Sequence, residues 1–150
     1  MTFSEGTIEF DARGRDLFQK SFLGIAFHGY DNQTYESVYF RPFNFNSSDS
    51  VRKIHAVQYA FEPEFGFQQL RETQKDKFES AVIPVGIDPT GWFHVKVEVN
   101  KDKVKVFING FKQSCLEVKT LNQFPLGKKI GIWVGNDSNG DFADLKVTQN

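Results

Sequence analysis

Residues 92–108 constrain the fold more than any other stretch. From Trp92 to Asn100 the side chains alternate, with Phe93, Val95, Val97 and Val99 on one side and His94, Lys96 and Glu98 on the other. Asn100–Lys103 turns the chain. Val104, Val106 and Ile108 then face inward, opposite Lys103, Lys105 and Phe107, and Asn109-Gly110 follows, a dipeptide in which both residues accept positive φ. A run of β-branched residues at every second position makes a strand with one buried face, whereas a helix would spread the same residues around its axis. The stretch therefore predicts an antiparallel hairpin, and a hairpin with one apolar face needs a second layer to cover it.

The rest of the chain supplies that layer in short pieces. Thr7–Ala12 alternates Ile8, Phe10 and Ala12 against Thr7, Glu9 and Asp11. Ser21–His28 sets Leu23, Ile25 and Phe27 against Phe22, Gly24, Ala26 and His28, and the small residues at 24 and 26 leave space above that second face. Strand character returns in Phe78–Pro84 and, more weakly, in Phe111–Val118. In Ile130–Gly135 the pattern points Ile130, Ile132 and Val134 inward and Trp133 outward between two glycines. Ala143, Leu145 and Val147 close the chain as a last strand. Ala60–Leu70, with Pro63 and Gly66, reads as a long loop with at most one short strand, and Arg71–Lys77 as a charged, solvated segment. No segment sustains a helical period, and no internal repeat is present. Seventeen Phe against one Met, two Trp and four Tyr favour strands, and the clusters are separated by Gly, Asn, Asp and Pro. The expectation is an all-β sandwich in a single domain spanning residues 1–150, a length that can bury a core.

Function classes narrow by exclusion. A net charge of −1 gives no field that would gather nucleic acid or an anionic membrane surface. No apolar run approaches bilayer length, so neither nucleic acid nor membrane is expected as a partner. Cys115 is the only cysteine, which rules out a disulfide within the chain. The N-terminal MTFSEGTIEF lacks the basic region and apolar core of a signal peptide, and localisation stays open.

The polar residues concentrate between Tyr35 and Tyr59. In Tyr35–Arg41, Val38 and Phe40 share one face, and Tyr35, Ser37, Tyr39 and Arg41 share the other. Pro42 ends the strand, because it has no N–H for the ladder. Val51–Tyr59 is expected to return as a second strand carrying Arg52, His55, Gln58 and Tyr59. Aromatic faces stack on the C–H face of a sugar ring, and planar polar groups make paired hydrogen bonds to hydroxyls. Tyr39, Arg41, Arg52, His55, Gln58, Tyr59 and Trp133 supply both devices and are expected to line one concavity on the open side of their sheet. On that reading Arg41→Ala changes stability little. The plainer alternative is a solvated strand face on which Arg41 and Arg52 pair with Glu36 or Asp49.

VYFRPFN, VRKIHAVQY, FGFQQLRE, GWFHVKVEVNKDKVKVFING and GIWVGNDSNGDFADLKV, in that order, resemble a family of bacterial proteins with the concanavalin A-like lectin/glucanase fold, a laminin-G-like jelly roll. Many of these are carbohydrate-related or of unknown function. The resemblance implies a jelly-roll sandwich of two antiparallel sheets and a noncatalytic, lectin-like domain with a carbohydrate ligand. Relatives usually carry one more strand upstream of the segment matching FSEGTIEFD and are often secreted or periplasmic. Without that strand the edge beside Thr7–Ala12 would be unpaired, so an edge-strand homodimer is expected.

Two other functions compete with this one. A glycan-degrading hydrolase needs two carboxylates flanking the bond. Laminarinase-type relatives of the fold carry E-x-D-x-(x)-E on one strand. Glu9-Phe10-Asp11 lacks the third acid and Glu62-Pro63-Glu64 is interrupted by proline, which leaves Glu36 or Glu62 acting with His55. No G-x-S-x-G elbow exists, and no catalytic residue is assigned. The other function is a protein-interaction domain using the same groove. Asn136–Asp141 has the oxygen-rich composition of a calcium loop without the full loop pattern, and a turn explains it as well. His28, His55 and His94 lack zinc spacing. No cofactor is expected, and calcium is the one ion with any signal.

Overall fold

In the computed structural model, which describes residues 2–150, the chain forms ten strands and two short helices. In order these are β1 (Gly6–Arg13), β2 (Leu23–Gly29), β3 (Tyr35–Phe40), α1 (Ser50–Lys53), β4 (Val57–Glu62), α2 (Phe67–Thr73), β5 (Glu79–Ser80), β6 (Phe93–Val99), β7 (Lys103–Ile108), β8 (Leu116–Lys119), β9 (Lys129–Val134) and β10 (Asp141–Gln149). They build two antiparallel five-stranded sheets with the orders β10-β1-β6-β7-β8 and β5-β4-β3-β2-β9. The valine hairpin is β6–β7, in the register Val97↔Val106. Its apolar face meets Leu23, Ile25, Phe27, Val38 and Phe40 across one continuous core. The sandwich is all-β, as the alternation predicts.

Three expectations about the chain path are corrected. β1 is an inner strand, paired with β10 on one side and β6 on the other, so no edge lies open beside Thr7–Ala12. Sequence could not supply this, because the covering strand β10 is the last in the chain. Val51–Tyr59 is not one strand. Asp49 caps α1, its Oδ1 accepting from the N–H groups of Val51 and Arg52 at 2.9 and 3.3 Å, and the strand begins only at Val57. A helix of one turn shows no periodicity for a sequence pattern to reveal.

Residues 60–77 are also not a plain loop and a solvated run. β4 continues to Glu62, and α2 follows from Phe67. The apolar side of α2 is Phe67 and Leu70, with Arg71 beside them at helical spacing, and Leu70 is buried. Two further strands are shorter than expected, with Phe78–Pro84 reduced to β5 and Phe111–Val118 to β8. In β9, Ile132 and Val134 are 48% and 40% exposed rather than inward, because β9 is the edge of its sheet. Leu145 of β10, at the edge of the other sheet, is 45% exposed.

Candidate ligand-binding site

The outer face of the β5-β4-β3-β2-β9 sheet is built on pleat alternation. Val38 and Phe40 of β3 enter the core, so Tyr39 and Arg41 point the other way. Gly24 of β2 pairs with Tyr39 on one side and Trp133 on the other. Having no side chain, it lets the two rings lean over it and stack, with centroids 4.3 Å apart. The indole Nε1 donates to Tyr35 Oη at 3.1 Å, which fixes the ring.

Arg41 lies next to this stack and is only 4% exposed. Its guanidinium donates to Tyr39 Oη (3.3 Å), to Gln58 Oε1 (3.1 Å) and to the His55 carbonyl (3.3 Å), and stands 3.5 Å from Glu79 Oε1. Burial lowers the Arg41 pKa from its ordinary value, against the favourable charge of Glu79. Glu79, also buried, is gripped through both oxygens by Arg71, at 2.9 and 2.8 Å. That bidentate pair raises the Arg71 pKa and ties α2 to β5. Burial pushes the Tyr39 phenol up to about 12, so it stays protonated. His55 is lowered, first by desolvation and then by the two neighbouring guanidiniums, against Glu79, so its ring is neutral at pH 7.

Above this layer opens a concavity of about 440 Å³, lined by Phe18, Phe22, Phe67, Arg41, Arg52, His55 and Arg71 among others. Arg52 is held from α1, its Nε donating to Asn44 Oδ1 (3.1 Å) and an NH2 to the Phe43 carbonyl (3.0 Å). Its guanidinium lies 4.4 Å from the Phe18 ring centroid. Phe18 and Phe67 are 56% and 44% exposed, and Arg41 faces Phe22 and Phe67 at 5.8 and 5.6 Å.

Of the seven residues expected here, Arg41, Arg52 and His55 share the concavity. Trp133 is on the same side of the sheet as Arg41, but it lines a separate depression with Tyr35 and Gly131. Three placements are corrected. Tyr39 is buried beneath Trp133, so it shapes the layer under the concavity and has no open face. Gln58 points to the correct side but is fully buried, bonded to Arg41, to the Tyr59 carbonyl and to the Phe78 carbonyl. Tyr59 points into the core, because adjacent residues of a strand face opposite ways and it pairs with Val38. The alternation of β4 already forbids Gln58 and Tyr59 from sharing a face.

Sequence reasoning missed Phe18, Phe22, Phe67, Arg71 and Glu79. Phe22 was legible on the Gly24/Ala26 face, and Phe67, Leu70 and Arg71 have i, i+3, i+4 spacing. The meeting of Arg71 with Glu79 has no sequence signal.

Glu36 is fully buried on the core side, where its carboxylate accepts from Tyr59 Oη (2.6 Å) and Thr120 Oγ1 (2.8 Å) and meets His28 Nδ1. It cannot act with His55, which lies across the sheet, and it pairs with neither Arg41 nor Arg52. Glu62 sits in a different depression, beside Phe67 and Gln68. Among the described residues no three His, Cys, Asp or Glu gather as they would around a metal ion.

Two packed sheets in this order define a concanavalin A-like jelly roll. No protein-family model and no curated protein matches the chain. Solved structures do match in fold. A tetrameric galectin from the ball sponge Cinachyrella sp. aligns with a TM-score of 0.62 at 12% identity, covering 98% of this chain and 96% of that one. An ancestral congerin aligns at 0.59 and 10% identity, over 99% and 95% of the two chains. A homodimeric agglutinin from chicken liver aligns at 0.55 and 11% identity, again over 99% and 95%. At such identities the likeness is one of fold.

Proposed function

We propose that the chain is a noncatalytic, lectin-like domain that binds carbohydrate in the concavity over Arg41, Arg52 and Arg71. The observation that carries this reading is the pairing of half-exposed phenyl faces, Phe18 and Phe67, with the guanidinium forks of Arg52 and Arg71, whose directions are fixed by buried partners. Ring faces suit the C–H side of a sugar, and preset forks suit its hydroxyls at little entropic cost. The galectin and agglutinin names of the fold's neighbours support it, as does the motif resemblance to bacterial lectin/glucanase-like proteins. Glu79 is buried and committed to two arginines, and among the described residues Asp137 is the one carboxylate lining the concavity, where hydrolysis would need two, which favours binding. The reading requires no metal or other cofactor.

A glycan array tests it, run with Phe18→Ala beside the unaltered protein and with a reducing-sugar assay on every glycan bound. Binding that Phe18→Ala weakens, with no sugar released, is expected. Release of reducing sugar would replace the reading with a hydrolase. Binding to no glycan would end it and favour the protein-interaction alternative.

We also propose a homodimer formed through the sheet edges, β9 and β10, where Ile132 and Val134 of the one and Leu145 of the other stand exposed. The neighbours described as tetrameric and homodimeric support assembly of this kind.

A further inference from the structure

Resting on the carbohydrate reading, we propose that the preferred ligand carries an anionic substituent, a carboxylate or sulfate on the sugar, seated against Arg52 and Arg71. The concavity holds three guanidiniums, of Arg41, Arg52 and Arg71. The one carboxylate among the lining residues is the exposed Asp137; Glu79 is buried behind Arg41 and Arg71, and Asp76, whose charge reaches Arg71 and His55, lies outside the lining. His55 adds no charge at pH 7, because burial lowers its pKa. The chain as a whole has net charge −1, so this positive excess is local.

The three arginines are not equally committed. Arg41 is buried, and Glu79, Gln58 and Tyr39 face it on several sides. Arg71 gives Nε and one NH2 to Glu79, which leaves its other terminal nitrogen without a hydrogen bond among the described residues, on a side chain that is 34% exposed and lines the concavity. Arg52 meets only neutral acceptors, Asn44 Oδ1 and the Phe43 carbonyl. The nearest acid in sequence, Asp49, turns its carboxylate to the N–H groups that begin α1. Among the described residues Arg52 has no ion-pair partner. A guanidinium oriented by two neutral hydrogen bonds and laid on a phenyl ring keeps its charge and a donor edge for a ligand. A neutral sugar would use the donor edge and leave the charge uncompensated.

Matched glycans that differ only in the acidic group test this: a neutral oligosaccharide against its uronate, sialylated or sulfated counterpart. The acidic member should bind about tenfold tighter or more, the scale of one charge-assisted hydrogen bond. Raising ionic strength should erode that preference while leaving neutral binding unchanged. Arg52→Gln should reduce the preference to a few-fold. The salt series on the unaltered protein decides the matter without that variant, should Arg52→Gln fail to fold. Equal binding of both members, or binding of the neutral one only, would overturn the anionic ligand and leave the carbohydrate reading standing. Binding of neither would overturn both.

Discussion

His28 Nδ1 lies 2.5 Å from Glu36 Oε2, inside the sandwich, while His28 Nε2 lies 2.6 Å from the Ser4 carbonyl oxygen. Both ring nitrogens thus face acceptors, and only the imidazolium can donate to both. A register shift in β2, with His28 at φ 51°, turns the ring inward beside Phe27. Burial alone would lower the His28 pKa. The hydrogen bonds to Glu36 and Ser4 and the Glu36 charge outweigh it, and the pKa stands above 6.5.

The sign for stability follows. A raised folded pKa means that the folded state holds the proton more tightly than the unfolded chain does. This stabilisation is complete below the unfolded value of 6.5 and is lost as pH rises through the folded value. His94, set between Asp11 and Glu9, is shifted the same way, since its two carboxylate hydrogen bonds outweigh desolvation. Urea unfolding across this range should show stability falling as pH rises, and His28→Gln should remove part of the fall. Equal slopes for the variant and the parent would refute the His28–Glu36 account.

Arg41 and Phe40 should both matter to stability, contrary to the sequence expectation for Arg41. Phe40 is fully buried and meets Phe93 edge to face at 5.2 Å, so Phe40→Ala should cost about 3–5 kcal/mol. Arg41→Ala strips a buried partner from Gln58, Tyr39 and Glu79, although Arg71 keeps Glu79 paired. A cost of about 1–3 kcal/mol is expected. Arg52→Ala, at the opening, should cost less than Arg41→Ala. Denaturant midpoints at constant slope measure all three, and an Arg41→Ala protein as stable as the parent contradicts the burial argument.

Gly24 should tolerate no side chain. A Cβ there would stand 2.0 Å from the Val38 carbonyl oxygen and 2.5 Å from Tyr39 Cα, both backbone atoms. It would also enter the space over which Tyr39 and Trp133 stack. Gly24→Ala should destabilise by about 1–3 kcal/mol or more and change the near-ultraviolet signal of the indole. An unchanged melting curve would show that β3 can give way.

Assembly is open to direct measurement. Sedimentation should show a concentration-dependent dimer, and Ile132→Lys together with Leu145→Glu should leave a monomer that melts as the parent does at low concentration. A parent that stays monomeric at every concentration removes the β9/β10 interface.

Alternation along the chain determined β1, β2, β3, β6 and β7, the core they share and the face on which Arg41 stands. That signal is local: a pleat sends Val38 and Phe40 one way and Tyr39 and Arg41 the other, whatever lies beyond. Correctly read, it also separates Gln58 from Tyr59. Tertiary structure decided what became of that face. Trp133 closes over Tyr39 only because β9 pairs with β2, and Arg71 reaches Glu79 only because a seven-residue helix packs against β4, the neighbour of β5. β1 is an inner strand only because the last strand returns to it. Each of these contacts joins residues that no local pattern connects. The burial that makes Arg41 structural, and leaves Arg52 and Arg71 as the arginines facing the opening, belongs to the assembled sandwich.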